Sequence, residues 1–419
     1  MDNPHPKITL CMIVKDEHHC IERCLESVYP YIDRYDITDT GSTDGTQDII
    51  KNFFDAKGIP GEVHQSDWKG FGDHAGKTGS RTESLLNAEK NGAEYAWVID
   101  ADDSIHGDAF RWPDVMDSDS YSLKIHRGDF TWWRNQVFKL GMGWKYLGVL
   151  HEYAACDKGD EPVTSVRIDG DYFIEARTEG NRNVGIEAKE KYAKDAELLE
   201  EALKDEPDNH RYWFYLGQSY FDSQQWVKAS EAYAKRASLG GWEEEAFYAL
   251  FRVAICSSLL NEPVDVQAHK YMQAYDYRPI RAEPLHQISR MYRMNNMPRA
   301  AYLYAKQAAS LPYPHGDILF LADEVYKWQA LDELGATAFY CHDYETGFYV
   351  MEKLISERNY PESEHLRMLE NHRQYSLKVQ ELYKQREEQQ RLVDQAKEEK
   401  KQKEIRKKNS YKKRKGKKK

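Results

Sequence analysis

Cysteine is scarce in this sequence and never closely paired. The six residues, Cys11, Cys20, Cys24, Cys156, Cys256 and Cys341, include no C-x-x-C spacing, which argues against a zinc ribbon or a disulfide framework and for reduced thiols in a cytoplasmic setting. Long apolar runs are also lacking. The longest near the start, Ile8 to Val14, is seven residues and meets Lys15-Asp16-Glu17. That is too short for a span of ~20 residues and wrongly flanked for a signal peptide, so no transmembrane segment is expected. No G-x-G-x-x-G follows Val14, which disfavours a dinucleotide oxidoreductase. What is abundant is core material: 41% hydrophobic and 13% aromatic residues, with 29 Tyr and 10 Trp among 419 residues, exclude global disorder and suggest two or three domains.

Charge is divided unequally. Residues 401 to 419 hold twelve Lys or Arg against one acid, a net +11, so residues 1 to 400 carry −22 where the whole chain carries −11. A diffuse acidic body offers no clustered cations for phosphates, and only the tail could contact nucleic acid.

The first hundred residues alternate short apolar runs with amphipathic stretches, the pattern of βαβ units around a mostly parallel sheet. Ile8 to Val14 reads as a buried strand. A helix to about Val28 follows, with Ile21, Cys24, Leu25 and Val28 on one face, then a strand ending in Ile37-Thr38-Asp39. Gly41-Ser42-Thr43-Asp44-Gly45-Thr46 is a turn rich in capping residues before a helix containing Ile49, Ile50, Phe53 and Phe54. A third strand is expected over Glu62 to Gln65, a helix near 80 to 91, and a strand Tyr95 to Ile99 that runs into Asp100-Ala101-Asp102-Asp103. Broken apolar runs from about 119 to 174 suggest an antiparallel extension.

From about 186 the period becomes helical. Trp213, Leu216, Gly217, Tyr220, Ala229 and Tyr233 match W-x2-L-G-x2-Y followed by A-x3-aromatic, the signature of a tetratricopeptide helix pair. Weaker copies begin at Phe251, Leu285 and Leu319, spaced by 38, 34 and 34 residues. Such repeats bury a core only when stacked, so a helical solenoid is expected to about 375. Beyond 376, Glu, Lys, Gln and Arg predict a solvated helix decaying into a disordered basic tail. The expected domains are therefore 1–180, 181–375 and 376–419.

Chemistry concentrates at strand ends. Ligands of open α/β sheets bind beyond the carboxyl ends of the strands, where Asp100-Ala101-Asp102-Asp103 stands. Several carboxylates together call for a cation, and hard oxygen ligands select Mg²⁺ or Mn²⁺, which keep positions open for phosphate oxygens. Asp39 ends the second strand at the same edge, and Lys15, Asp16 and Glu17 end the first.

The motifs ITLCMIVKDE, DITDTGSTDGT and WVIDADD, followed by RNQVFKLGMGWKYLGVLHE over Arg134 to Glu152, together resemble family 2 of the glycosyltransferases across roughly residues 7 to 155. The resemblance implies a GT-A α/β domain, followed here by the all-α tetratricopeptide-like solenoid and the charged tail. It implies an inverting, metal-dependent enzyme, hexosyltransferase-like, that moves a sugar from a nucleotide-sugar donor to a saccharide, peptide or protein acceptor. By that resemblance Asp39 recognises the base and Asp100 the ribose, with Lys15, Glu17 and Arg81 also near the donor. Asp102 and His151 serve the Mn²⁺ or Mg²⁺, and Glu152 is the general base with Asp103 as its rival. Trp132, Trp133 and Trp144 are candidates to stack on sugar rings. The chain departs from the pattern of one subgroup, which has Asn at the place of Asp16, Glu at that of Asp103 and Arg-Asn at that of Arg81-Thr82. Sugar nucleotidyltransferases need a G-x-G-T-R-type loop that is missing. Two alternatives stay open: a tetratricopeptide binding scaffold with a non-catalytic front domain, and a transferase acting on modified DNA through the 401–419 tail.

Overall fold

The computed structural model describes residues 7–107, 110–128, 130–159, 161–180 and 187–416. The chain divides into two compact units, Met1–Ala232 and Tyr233–Lys419. The first contains β1 (Ile8–Val14), α1 (Ile21–Val28), β2 (Arg34–Asp39), α2 (Thr46–Lys57), β3 (Gly61–Gln65), α3 (Ser80–Lys90) and β4 (Tyr95–Val98). Next come β5 (Ser104–His106), β6 (Ser120–Arg127), β7 (Phe130–Lys139), β8 (Lys145–Leu147), β9 (Tyr153–Ala155), β10 (Ser165–Arg167) and β11 (Phe173–Glu175). Helices α4 (Ala188–Asp205) and α5 (His210–Asp222) close the unit, and the division falls inside α6 (Trp226–Ser238).

One sheet runs in the order β3-β2-β1-β4-β7-β6-β11-β5, with β10 also on β6, while β8 and β9 form a separate ribbon. The half built from β3, β2, β1 and β4 is parallel. Helices cover it, so β1 and β4 are buried almost throughout and read as continuous apolar runs. Ile21, Cys24, Leu25 and Val28 of α1 join sheet residues such as Leu10, Ile37 and Trp97 in one core. The expected antiparallel extension holds for β4 with β7 and β7 with β6, but β10 and β11 pair with β6 in parallel. Val14 lies opposite Asp39. The ends of β1, β2 and β4 therefore share one edge, with the turn of Asp100–Asp103 directly beyond β4.

The second unit is helical: α7 (Glu243–Leu259), α8 (Val264–Tyr277), α9 (Glu283–Met294), α10 (Pro298–Ser310), α11 (Ala330–Tyr340), α12 (Tyr344–Glu357) and α13 (His365–Gly416). Ala254, Tyr271, Ala282, Leu285, Ile288 and Ala308 form one buried cluster, the small residues allowing close helix approach. The copy expected from Leu319 is displaced. Pro312, Pro314 and Gly316 interrupt the helical pattern, Leu319 and Ala322 lie outside the helix, and a π turn over Val325–Gln329 leads into α11. Arg278 and Arg281 hold that connection through Asp317. α4 and α5 belong with the sheet unit, α13 runs through residue 375, and its helix continues to Gly416 where disorder was expected. Residues 417–419 of the expected tail lie outside the described residues. Among the described residues no helix is long and apolar enough to cross a membrane.

Candidate active site

Asp39 is built into the edge of the sheet by the loop after it. The side chain is 1% exposed. Its Oδ1 accepts from the Gly41 and Ser42 N–H groups, each at 2.9 Å, and from Gln47 Nε2 at 3.0 Å. Its Oδ2 is buried with no hydrogen-bond partner. The same loop fixes the end of β1. Asp16, at φ 56°, accepts from Thr43 N–H at 2.7 Å, while its own N–H donates to Ser42 Oγ and that of Glu17 to Thr46 Oγ1. Gly45, in the left-handed region, is the N-cap of α2, and Asp44 just before it accepts from Thr46 N–H, so the GSTDGT turn is both a helix start and a clamp on the neighbouring strand. Lys15 is exposed beside it.

Arg81, in the first turn of α3, joins the end of β4 to the segment before β9. Its Nη2 donates to Asp100 Oδ1 at 2.7 Å and its Nε to Glu152 Oε1 at 2.6 Å, with the Arg81 side chain only 14% exposed. Gly79 allows this placement, because a Cβ there would lie 2.4 Å from the Gly72 carbonyl. Burial disfavours the guanidinium charge, but Asp100 and then Glu152 reverse that and hold Arg81 protonated. Burial likewise opposes the Asp100 charge, while Arg81 and Arg134 hold its carboxyl below the usual range. Asp103 behaves oppositely: burial, then Asp100, push it up against the pull of Arg134. At 2% exposure it accepts from Arg177 N–H at 3.1 Å and from Arg134 at 3.4 Å. A cavity of about 600 Å³ opens beside this group, lined by Arg81, Asp100, Glu152, Trp133, Arg134 and Gln136 among others.

Asp102 sits one step away. Its Oδ2 accepts from Gly180 N–H at 2.9 Å. A Cβ on Gly180 would lie 3.3 Å from that oxygen and 3.4 Å from Glu17 Oε1, so the two carboxylates converge on one backbone position. Glu17, His19 and Cys20 bring their ligand atoms within 4.8 Å of one another. The segment after β11 crosses here: His19 Nε2 pairs with Glu179 O at 2.8 Å, and Arg23 with the Glu179 carboxylate at 2.7 Å. Burial, then Glu17, push the Cys20 thiol well up, so it donates to Glu17 as a neutral group. A carboxylate, an imidazole and a thiol thus lie within reach of one cation, with the Asp102 carboxylate beyond that group.

The structure thus brings Arg81, Asp100 and Glu152 into one hydrogen-bonded group, with Asp103 behind it and Asp102 and Glu17 beside it. His151 is engaged elsewhere: at φ 50° its ring stacks on Tyr215 with centroids 3.9 Å apart, and its carbonyl accepts from Arg211. Of the three tryptophans, Trp133 lines the cavity, Trp132 is 37% exposed and outside its lining, and Trp144 is buried in the packing around Phe138. Sequence reasoning missed His19, Arg134, Arg177 and Gln136. His19 was within reach of it, two residues past Glu17 at a strand end; the others carry no local signal.

A sheet whose parallel half gathers these acids at its carboxyl edge, continued by a mixed half, is of the GT-A class. Residues 9–112 match the family described as Glycosyl transferase family 2. No curated protein matches. Among solved structures, MamA from Desulfovibrio magneticus RS-1 is similar at 12% identity and a TM-score of 0.32, over 40% of this chain and 86% of that one. YrrB, described as a TPR protein with an unusual peptide-binding site, aligns at 13% identity and 0.31, over 43% and 82%. BtubC from P. vanneervenii aligns at 15% and 0.33, over 40% and 73%.

Proposed function

We propose that the protein is an inverting, metal-dependent glycosyltransferase using a nucleotide-diphosphate sugar and a saccharide, peptide or protein acceptor. The observation that carries this is Asp39: a buried carboxylate oxygen without a partner costs at least about 1–3 kcal/mol, which a base N–H of a bound nucleotide would offset. Asp39 Oδ2 stands in that state at the strand-end edge that, across β1, also carries Asp100 with its partner Arg81. Asp100, oriented by Arg81, suits the ribose hydroxyls on the far side of β1.

Asp102 with Glu17 and His19 would hold Mn²⁺ or Mg²⁺. When bound, the cation supplies charge neutralisation for the departing diphosphate. Glu152 takes the acceptor proton in this reading, because it lines the cavity, whereas Asp103 is 2% exposed and turned to Arg177. Arg81 orients Glu152 and Asp100 from one guanidinium, tying the base to the donor end of the site.

The test is release of nucleoside diphosphate from a panel of labelled sugar nucleotides with Mn²⁺ and with EDTA. Metal-dependent release, lost in Asp102→Ala protein that keeps its fold, is expected. Full activity of that variant with Mn²⁺ would remove the metal assignment. A chain that releases nothing from any donor would favour the scaffold reading.

A further inference from the structure

The cavity beside Asp100 contains one buried polar side chain that the steps above do not use. Where β6 pairs with β7, Tyr121 lies opposite Val137 but Ser122 lies opposite Asn135, so Gln136 is the extra residue of a β-bulge. Bulges near active sites re-aim side chains. Gln136 lines the cavity while the next two residues of its strand, Val137 and Phe138, are wholly buried in the core. Its side chain is 2% exposed, and neither Nε2 nor Oε1 has a hydrogen-bond partner.

Its place along the sheet is equally specific. Trp97 of β4 faces Val137 of β7, so Gln136 falls beside Val98, which lines the same cavity two residues before Asp100. At ~3.3 Å per residue that puts the bulge roughly 7 Å along the strand from the carboxylate, a separation a single sugar ring can bridge. Another wall carries Trp133, with the Arg167 guanidinium 5.4 Å from its ring centroid.

We propose that Gln136 is the sugar-reading residue of this site, its amide binding two neighbouring hydroxyls of a hexose ring held in the cavity. The inference rests on the transferase reading and deepens it. A carboxamide presents a donor and an acceptor side by side, matching a pair of hydroxyls in which one oxygen accepts and the next donates. A phosphate or carboxylate would bring no proton to Oε1, and an apolar ligand would leave both atoms unpaired. Trp133 offers an aromatic surface for the C–H face of the ring. Inverting one of the two carbons breaks the match, so the residue selects between epimers.

The experiment compares wild-type protein with Gln136→Leu in three measurements. In the first, UDP release is followed from UDP-glucose and UDP-galactose and from their N-acetylhexosamine counterparts. In the second, transfer to methyl glucoside, galactoside and mannoside is followed. The third is saturation-transfer NMR with the same methyl glycosides, which needs no turnover. Gln136→Leu is expected to lower the preference between epimers about tenfold or more. An effect on release assigns the hydroxyls to the donor sugar, and an effect on transfer alone assigns them to the acceptor. Because the variant removes an unpaired buried amide, its Tm should rise, by about 2 °C. Unchanged epimer preference in all three measurements would overturn the proposal, as would a lowered Tm, which would mark the amide as a structural partner. If wild-type protein releases no nucleoside diphosphate from UDP-, GDP- or dTDP-sugars and transfers nothing, the transferase reading fails, and the NMR preference still decides whether Gln136 reads a sugar.

Discussion

Replacing Arg81 by Met removes the cation that two carboxylates share, and the structure sets the size of the loss. Breaking a buried pair by deleting one partner costs about 3–5 kcal/mol. Asp100 keeps 33% exposure and Glu152 14%, so water relieves part of the uncompensated charge and about 2–3 kcal/mol is the expected loss at pH 7. The loss has a pH signature. Burial opposes the Asp100 charge, but Arg81 and Arg134 hold its native pKa below that of the unfolded chain. The stabilisation is therefore complete above the unfolded value near ~3.9 and is lost as pH falls below it towards the native one. In Arg81→Met the Asp100 carboxylate loses this support and protonates more easily, so the deficit should shrink from pH 7 towards pH 4. Hydrogen exchange of the β1 and β4 amides reads the stability of the sheet unit alone. A deficit under about 0.5 kcal/mol at pH 7, or one that does not change with pH, would refute the argument.

Three further outcomes follow from other parts of the chain. Burial, with help from Arg290 and Arg293, pushes the His286 imidazole down to about 4; since this lies below the unfolded value near ~6.5, the helical unit should lose on the order of 3 kcal/mol as pH falls from ~6.5 to ~4, and His286→Leu should flatten that slope in denaturant titrations. Gly79→Ala would force a Cβ to 2.4 Å from the Gly72 carbonyl and displace Arg81, costing about 1–3 kcal/mol and most donor turnover; a variant with wild-type stability would show that the loop yields freely. Removing residues 401–419 should leave donor release and transfer to a saccharide unchanged, because Lys401 to Lys407 are exposed and the strand-end site is complete without them; loss of transfer would make nucleic acid the leading acceptor.

The parallel half of the sheet was legible because β1 and β4 are covered by helices and are apolar along most of their length, so the acids that follow those runs stand out. The α5 and α6 pair was legible for a similar reason: Leu216, Gly217, Tyr220, Ala229 and Tyr233 are all buried as the repeat signature requires. Other features have no local signature. A bulge at Gln136 depends on how β6 and β7 meet, and no residue type announces it. The backbone N–H groups that Asp102 and Asp103 accept from belong to Gly180 and Arg177, more than seventy residues away. The shift of the last repeat follows from Pro312 and Pro314, whose lack of an N–H breaks a helix that spacing alone would continue. The tail reads as disordered from its composition, yet its helix runs on to Gly416.

The most direct test of the central claim is calorimetric titration of UDP, GDP and dTDP into wild-type and Asp39→Asn protein, each with and without Mn²⁺. If the partnerless Oδ2 of Asp39 accepts from a base N–H, one nucleotide should bind the wild-type protein in a metal-dependent way. The Asn amide, turned to that place, would present a donor to a donor and weaken binding about tenfold or more, with the metal dependence kept. Equal affinity of the two proteins for every nucleotide would contradict the account.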